Sequence, residues 1–326
     1  MSESRSMLTR ALSSLGLMCI GLVLACLAGE GLVRLATADQ RNYMVEMWRY
    51  ATLLKRESAN PAVGHEHVPN SSARLQGVDV SINSLGMRGP EPDLSDPKRR
   101  NIVIIGDSMA FGWGVEEART LRGQLAQALG GTVNVMTTGV GNMNMQQIVA
   151  HWLDYSPKIA ADTVIVLTTA RATEVQEQER AGWLVQHSQL YALMVSFSKM
   201  LTPGQPGQQS LLAFYQKAWG DGPGRTGMVR ALDALRADQQ QRGYRVIVAL
   251  MPETHEFHPY PFGFITEVMQ TETTARGWPF IDLLPELADR PARSYWAMDE
   301  DPHPNGDALG RVARRLLPSL TTPAAQ

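Results

Sequence analysis

From residue 101 onward, five short apolar segments recur, at 101–105, 132–136, 162–167, 244–250 and 279–282, with helical segments between them. Ile102-Val103-Ile104-Ile105 and Val164-Ile165-Val166-Leu167 are apolar at every position rather than every second one. That is the pattern of strands covered on both faces. Helices are predicted over 120–129, 145–152, 225–242 and 307–317. Strands alternating with helices predict an α/β domain around a central parallel sheet with right-handed crossovers. Active sites of such sheets gather at the C-terminal ends of the strands. The residues that follow each strand are therefore the ones that carry chemistry.

Ahead of this domain lies an uncharged run over residues 11–28, ALSSLGLMCIGLVLACLA, preceded by Arg5 and Arg10. As a helix it spans about 27 Å, close to the ~30 Å of a bilayer hydrocarbon core. The run reads as an uncleaved single-pass anchor. The alternatives are a signal segment cut near Ala36-Thr37-Ala38, a lipoprotein box at Val23-Leu24-Ala25-Cys26, and a buried helix. Positive charge before the run predicts the N-terminus inside and the bulk of the chain outside. The expectation is a bacterial inner-membrane protein with its main domain in the periplasm, or a secreted or periplasmic one if the segment is cleaved.

The chain divides into the signal or anchor segment (1–38), a lead-in or stalk (39–98) and the main domain (99–322). A helical insertion or cap occupies about residues 175–225 of that domain, with helical stretches at 183–200 and 211–219 around a loop at 202–207. The lead-in opens with an amphipathic helix over 43–55 and continues through a Pro-, Asn-, Ser- and Gly-rich stretch that reads as partly ordered.

Composition narrows the function classes. Lys and Arg total 30 against 32 Asp and Glu, a net charge of -2, so no electrostatic footprint for nucleic acid exists. The two cysteines, Cys19 and Cys26, both lie in the apolar run, which leaves the main domain without a disulfide or a thiolate metal site. No cofactor and no metal are expected.

Three segments carry chemistry. Gly106-Asp107-Ser108 follows the first core strand. A sharp strand-to-helix turn there exposes the serine Oγ and aims its backbone N–H at a developing oxyanion. Ser or Asp at this place is equally an ordinary helix N-cap. Asp299-Glu300-Asp301-Pro302-His303 lies near the C-terminus, where His303 can act as general base with Asp301 as the first choice of orienter and Glu300 or Asp299 as the alternatives. The plain alternative is an acidic surface turn that contains a histidine. The loop over 137–144 follows the second strand, and its Gly139 and Gly141 let backbone approach a ligand. It lacks the spacing of a dinucleotide fingerprint, and an ordinary tight turn fits it as well.

Taken together these segments resemble the SGNH, or GDSL-like, hydrolase superfamily. Residues 102–115, IVIIGDSMAFGWGV, are similar to its first block, 139–144 to its second and 301–305 to its last. The resemblance implies a flavodoxin-like three-layer α/β/α sandwich and acyl-ester chemistry through a Ser-His-Asp triad. It places the nucleophile on Ser108, the base on His303, the acid on Asp301 and a backbone oxyanion donor on Asn142. The third block departs. The family's oxyanion Asn and the following Asp fall on Thr173 and Glu174, counted from the strand. Arg171 and Asn144 are candidate substitutes or substrate contacts, with a solvated loop charge the bland reading of Arg171 and an N-cap that of Thr173. Trp113 is a candidate groove residue or a packing one. His255 and His258 read as loop histidines on the catalytic side, and the methionines as core filler.

The function expected is a serine-dependent acyl-ester hydrolase acting on an acylated small molecule or glycan, such as an O-acylated envelope or exported polysaccharide. The alternatives are a polysaccharide O-acyltransferase, and a catalytically weakened carbohydrate-binding or assembly factor that works with other envelope or polysaccharide-assembly proteins. A phosphate-ester enzyme fits less well, because no P-loop pattern is present.

Overall fold

The computed structural model describes residues 2–175, 182–200 and 208–321. The expected loop at 202–207 lies outside them. In chain order the elements are α1 (Ser2–Ala36), α2 (Tyr43–Leu53), β1 (Lys55–Glu57), β2 (His65–His67), β3 (Ser72–Leu75), β4 (Val78–Ser81), β5 (Arg100–Gly106), α3 (Ser108–Phe111), α4 (Leu121–Leu129), β6 (Val133–Thr137), α5 (Met145–Tyr155) and β7 (Thr163–Thr168). There follow α6 (Trp183–His187), α7 (Gln189–Met200), α8 (Gln208–Trp219), α9 (Pro223–Arg242), β8 (Arg245–Leu250), α10 (Gly263–Ala275), β9 (Phe280–Asp282), α11 (Leu284–Leu287), β10 (Trp296–Met298), β11 (Asp301–Pro304) and α12 (Gly306–Thr321).

Five strands form one parallel sheet in the order β6-β5-β7-β8-β9. Counted among core strands this is the doubly wound order 2-1-3-4-5, which reverses direction beside β5. The three central strands β5, β7 and β8 are apolar through their middles because both faces are covered. Val103, Ile105, Val164, Val166, Val246 and Val248 share a core with the α5, α9 and α10 residues Trp152, Leu232 and Met269. Their neighbours Ile102, Ile104, Ile165, Leu167 and Ile247 face the opposite way, toward Leu121 and Leu125 of α4 and Leu309 and Val312 of α12. The result is the three-layer α/β/α sandwich, preceded by an N-terminal apolar helix.

Within α1, residues Leu12–Ala36 are long and apolar enough to cross a membrane, by length and composition. The lead-in, whose residues 56–98 read from the sequence as partly ordered, contributes most of a separate small core. Tyr50, Leu54, Leu75, Val80 and Ile82 bury themselves against Phe111 and Trp113, just past Ser108. Arg88, fully buried, donates to the carbonyls of Phe111, Gly112 and Val115 and pairs with Glu117 at 3.1 Å. Pro, Gly and Asn in this stretch make the turns of two antiparallel hairpins rather than a loose chain.

Candidate active site

The site forms where β5 ends. Asp107 caps α3, with its Oδ1 accepting from the Met109 N–H at 3.0 Å. Ser108 is thus the first helical residue, whose N–H has no intrahelical acceptor. The turn needs Gly106: a Cβ there would sit 2.7 Å from both Ala110 Cβ and the Leu167 carbonyl oxygen. Gly139 is required likewise, since a Cβ would lie 2.5 Å from the Phe111 nitrogen.

Ser108 Oγ lies 2.8 Å from His303 Nε2, and His303 Nδ1 lies 2.5 Å from Asp301 Oδ1. An ionised carboxylate only accepts, so Nδ1 carries the proton and Nε2 presents its lone pair to the serine hydroxyl. The short hairpin of β10 and β11 presents both Asp301 and His303. Asp301 is 1% exposed, and its other oxygen, Oδ2, accepts from Gln76 Nε2 at 2.6 Å and Trp113 Nε1 at 2.8 Å. Burial opposes its charge, but the hydrogen bonds of His303, its charge once it is protonated, and the hydrogen bond of Gln76 outweigh that and hold the carboxyl below its ordinary range.

Asn142 lines the same cleft with φ of 66°, a left-handed conformation that Asn tolerates better than most side chains. The peptide that links it to Gly141 is held from the lead-in. Lys55 Nζ and His65 Nε2 each approach the Gly141 carbonyl oxygen at 3.1 Å, while Tyr50 Oη accepts from the Gly141 N–H at 2.9 Å. In a trans peptide the N–H of Asn142 points opposite that carbonyl. Burial lowers Lys55 to about 8 and, with the Lys55 charge, lowers His65 to about 4.

The cleft encloses about 160 Å3 and is also lined by Tyr43, Met47, Thr169, Ala170, Arg171, Tyr215 and the 252–255 segment. Arg171 Nη2 donates to Asn142 Oδ1 at 3.0 Å and pairs with Glu174 at 2.8 Å. Thr169 donates to Asp107 Oδ2 at 2.8 Å. Tyr43 sits with its ring 6.1 Å from that of His303; burial and the Asp301 charge push its hydroxyl up to about 12.

Several sequence expectations need correction. Thr173 does not reach the cleft: the stretch after β7 winds into a 3-10 turn over Ala170–Thr173, which turns Thr173 into the core. Its Oγ1 is buried without a hydrogen-bond partner among the described residues. Residues 169–171 face Ser108 instead. Asn144 caps α5 in a reciprocal box with Gln147 and is not a cleft residue. Trp113 lies behind Asp301, 2% exposed, rather than along a groove.

Sequence reading missed Tyr43, Gln76, Lys55 and His65, because all four lie in the lead-in. It also missed the pairing of His255 Nδ1 with Glu253 Oε1 at 2.5 Å, which raises the imidazole above its ordinary range. The alternating Glu and His of Glu253-Thr254-His255 was the available signal.

No protein-family model and no curated protein matches the chain. Solved structures similar to it include TesA, at 11% identity over 68% of this chain and 98% of that one, with a TM-score of 0.47. A member of the lipolytic protein G-D-S-L family from Veillonella parvula shares 13% identity over 69% of this chain and 100% of its own, at a TM-score of 0.44. A carbohydrate acetylesterase family member from Sinorhizobium meliloti shares 11% over 68% and 97%, at 0.41.

Proposed function

We propose that this protein is a serine-dependent acyl-ester hydrolase, anchored by α1 in a bacterial inner membrane with its cleft on the periplasmic side. The observation that carries the reading is the continuous chain from Ser108 Oγ through His303 to the buried Asp301. Ser108 Oγ attacks the ester carbonyl carbon as its proton passes to His303 Nε2. The N–H groups of Ser108 and Asn142 receive the oxyanion. Collapse expels the alkoxide, which takes the proton back from His303. Water, deprotonated by the same nitrogen, then releases the carboxylic acid and restores the serine. Asp301 holds the ring and stabilises the imidazolium.

The substrate class we assign is an O-acylated envelope or exported glycan. Tyr43 and Tyr215 bring aromatic rings to the lining of the cleft, as sugar sites do, while Glu253, His255 and Asn142 bring polar groups suited to its hydroxyls. Treating the full chain with a fluorophosphonate and mapping the adduct tests the nucleophile. The expected result is one adduct on Ser108, absent from Ser108→Ala and His303→Ala, with loss of short-chain ester turnover in both. Neither adduct nor turnover in the wild type would leave a carbohydrate-binding or assembly role.

One observation favours a second reading, O-acyl transfer to a glycan hydroxyl. The cleft holds a second carboxylate–histidine pair, Glu253 with His255, that faces the Ser108 site without serving Ser108. A sugar acceptor that diverts acyl groups from water in the wild type, but not in His255→Phe, would select transfer over hydrolysis.

A further inference from the structure

We propose that helices α6 and α7 lie on the outer surface of the bilayer, with Trp183, Leu184, Tyr191, Met194 and Phe197 in contact with lipid. The proposal rests on α1 spanning the membrane.

The position follows from α1 itself. From Leu12 to Glu30 the helix rises about 27 Å, close to the hydrocarbon thickness of ~30 Å. Glu30 therefore reaches the far boundary of the bilayer. That is the residue α7 is attached to. The Glu30 carboxylate accepts from Ser188 Oγ at 2.8 Å and from the N–H groups of Gln189 and Leu190 at 3.0 and 2.9 Å. Arg34, one turn further, pairs with Glu30 at 2.8 Å, as a cation at headgroup depth would. Leu190 packs on the neighbouring Gly29, its Cδ2 only 3.0 Å from where a Cβ would stand. The junction of α6 and α7 is therefore fixed at this level, and from it the two helices are taken to run along the membrane surface.

Their composition suits that place. In α7 the exposed apolar residues Tyr191, Met194 and Phe197 recur every third position, while Ala192 turns inward toward α2. In α6, Trp183 and Leu184 are 69% and 50% exposed, and Met194 and Phe197 are 61% and 65% exposed. Apolar side chains of this size, contiguous with a membrane-crossing helix, form the lipid-facing side of an interfacial helix, and Trp is the residue most at home there. The inner side of the pair packs on Met44, Val45 and Trp48 of α2. The same helix offers Tyr43 and Met47 to the Ser108 cleft. The cleft therefore stands one helix away from the lipid surface, within reach of a substrate that is itself held in the membrane.

The test uses the full chain reconstituted in vesicles of phosphatidylethanolamine and phosphatidylglycerol. Single cysteines are spin-labelled at Met194→Cys and Phe197→Cys, with Cys19 and Cys26 changed to Ala. Two references accompany them: native Cys19 in Cys26→Ala, inside α1, and Gln127→Cys on α4, exposed on the opposite layer. Power saturation then compares dissolved oxygen with a water-soluble nickel chelate. Labels at 194 and 197 are expected to follow Cys19, relaxed more by oxygen, with the ratio reversed at 127. Met194 and Phe197 labels that behave like the one at 127 would overturn the proposal while α1 remains inserted. Labels shielded from both relaxants would mean that a protein covers the stripe, and would overturn it too. A water-exposed Cys19 would remove the anchor itself, and the docking with it.

Discussion

Gln76, in the turn between β3 and β4, donates to Asp301 Oδ2 at 2.6 Å, although 225 residues separate the two in sequence. The turn is held in place by Glu46, fully buried, whose Oε2 accepts from the Gln76 N–H at 2.7 Å. The lead-in thus supplies a partner to the carboxyl group that bonds His303 Nδ1. A hydrogen bond to a charged group contributes about 1.5–3 kcal/mol. Gln76→Leu is therefore expected to lower kcat roughly ten- to hundredfold with little change in KM, since Trp113 keeps its own bond to Asp301. Removing the donor also lets the Asp301 carboxyl rise, so the acid limb of the kcat–pH profile should move to higher pH. An unchanged kcat and profile would disconnect the lead-in from the chemistry.

Lys55 and His65 grip the carbonyl of the peptide whose N–H belongs to Asn142. A cation at that carbonyl polarises the peptide and strengthens its N–H toward an oxyanion. Lys55 is held down to about 8 by burial, so its charge is present below that pH and lost above it. Wild-type kcat is expected to decline above about pH 8, and Lys55→Met to be slower with that decline removed. Steady-state rates on a short-chain ester across alkaline pH check this, with identical alkaline limbs as the contrary outcome.

Thr173 now makes the opposite prediction to the one its sequence position suggests. Its hydroxyl is buried, unpaired among the described residues and away from the cleft. Thr173→Val removes a polar group that gains nothing from folding, at nearly the same volume. Turnover should stay within about twofold of wild type, and Tm should hold or rise. A tenfold loss of kcat with normal Tm would return Thr173 to the oxyanion.

Acid should destabilise the fold through its buried histidines. His67 bonds Tyr50 Oη at 2.7 Å, and burial, with the nearby Lys55 charge, lowers its pKa from 6.5 to about 3. His65 falls to about 4. Both stay neutral when folded and bind protons when unfolded, so the unfolded chain takes up more protons below pH 6.5. Stability is complete above that value and declines as pH falls toward 4, at about 1.4 kcal/mol per pH unit for each histidine. Thermal melts between about pH 7 and about pH 5 should show Tm dropping. A flat Tm would mean that neither imidazole is held neutral.

The sequence by itself determined the α/β class and its parallel sheet, because burial on both faces writes itself into the apolar runs of β5, β7 and β8, and the resemblance to a known family added the three-layer sandwich. It also marked Ser108, Asn142, Asp301 and His303 as residues that follow strands or sit in stiff turns, where local pattern and chemistry coincide. Tertiary structure alone decided the rest. The twist of the 3-10 turn after β7 exchanged Thr173 for residues 169–171 at the cleft, and counting along a chain cannot register a change of direction. Gln76, Lys55, His65 and Tyr43 look like solvated residues of a turn-rich lead-in. They acquire partners only when Tyr50, Leu54 and Val80 bury themselves against Phe111 and Trp113. Apolar burial is non-directional and leaves no local signal of what it will face. The polar groups carried in with it must then find partners wherever the packing sets them down.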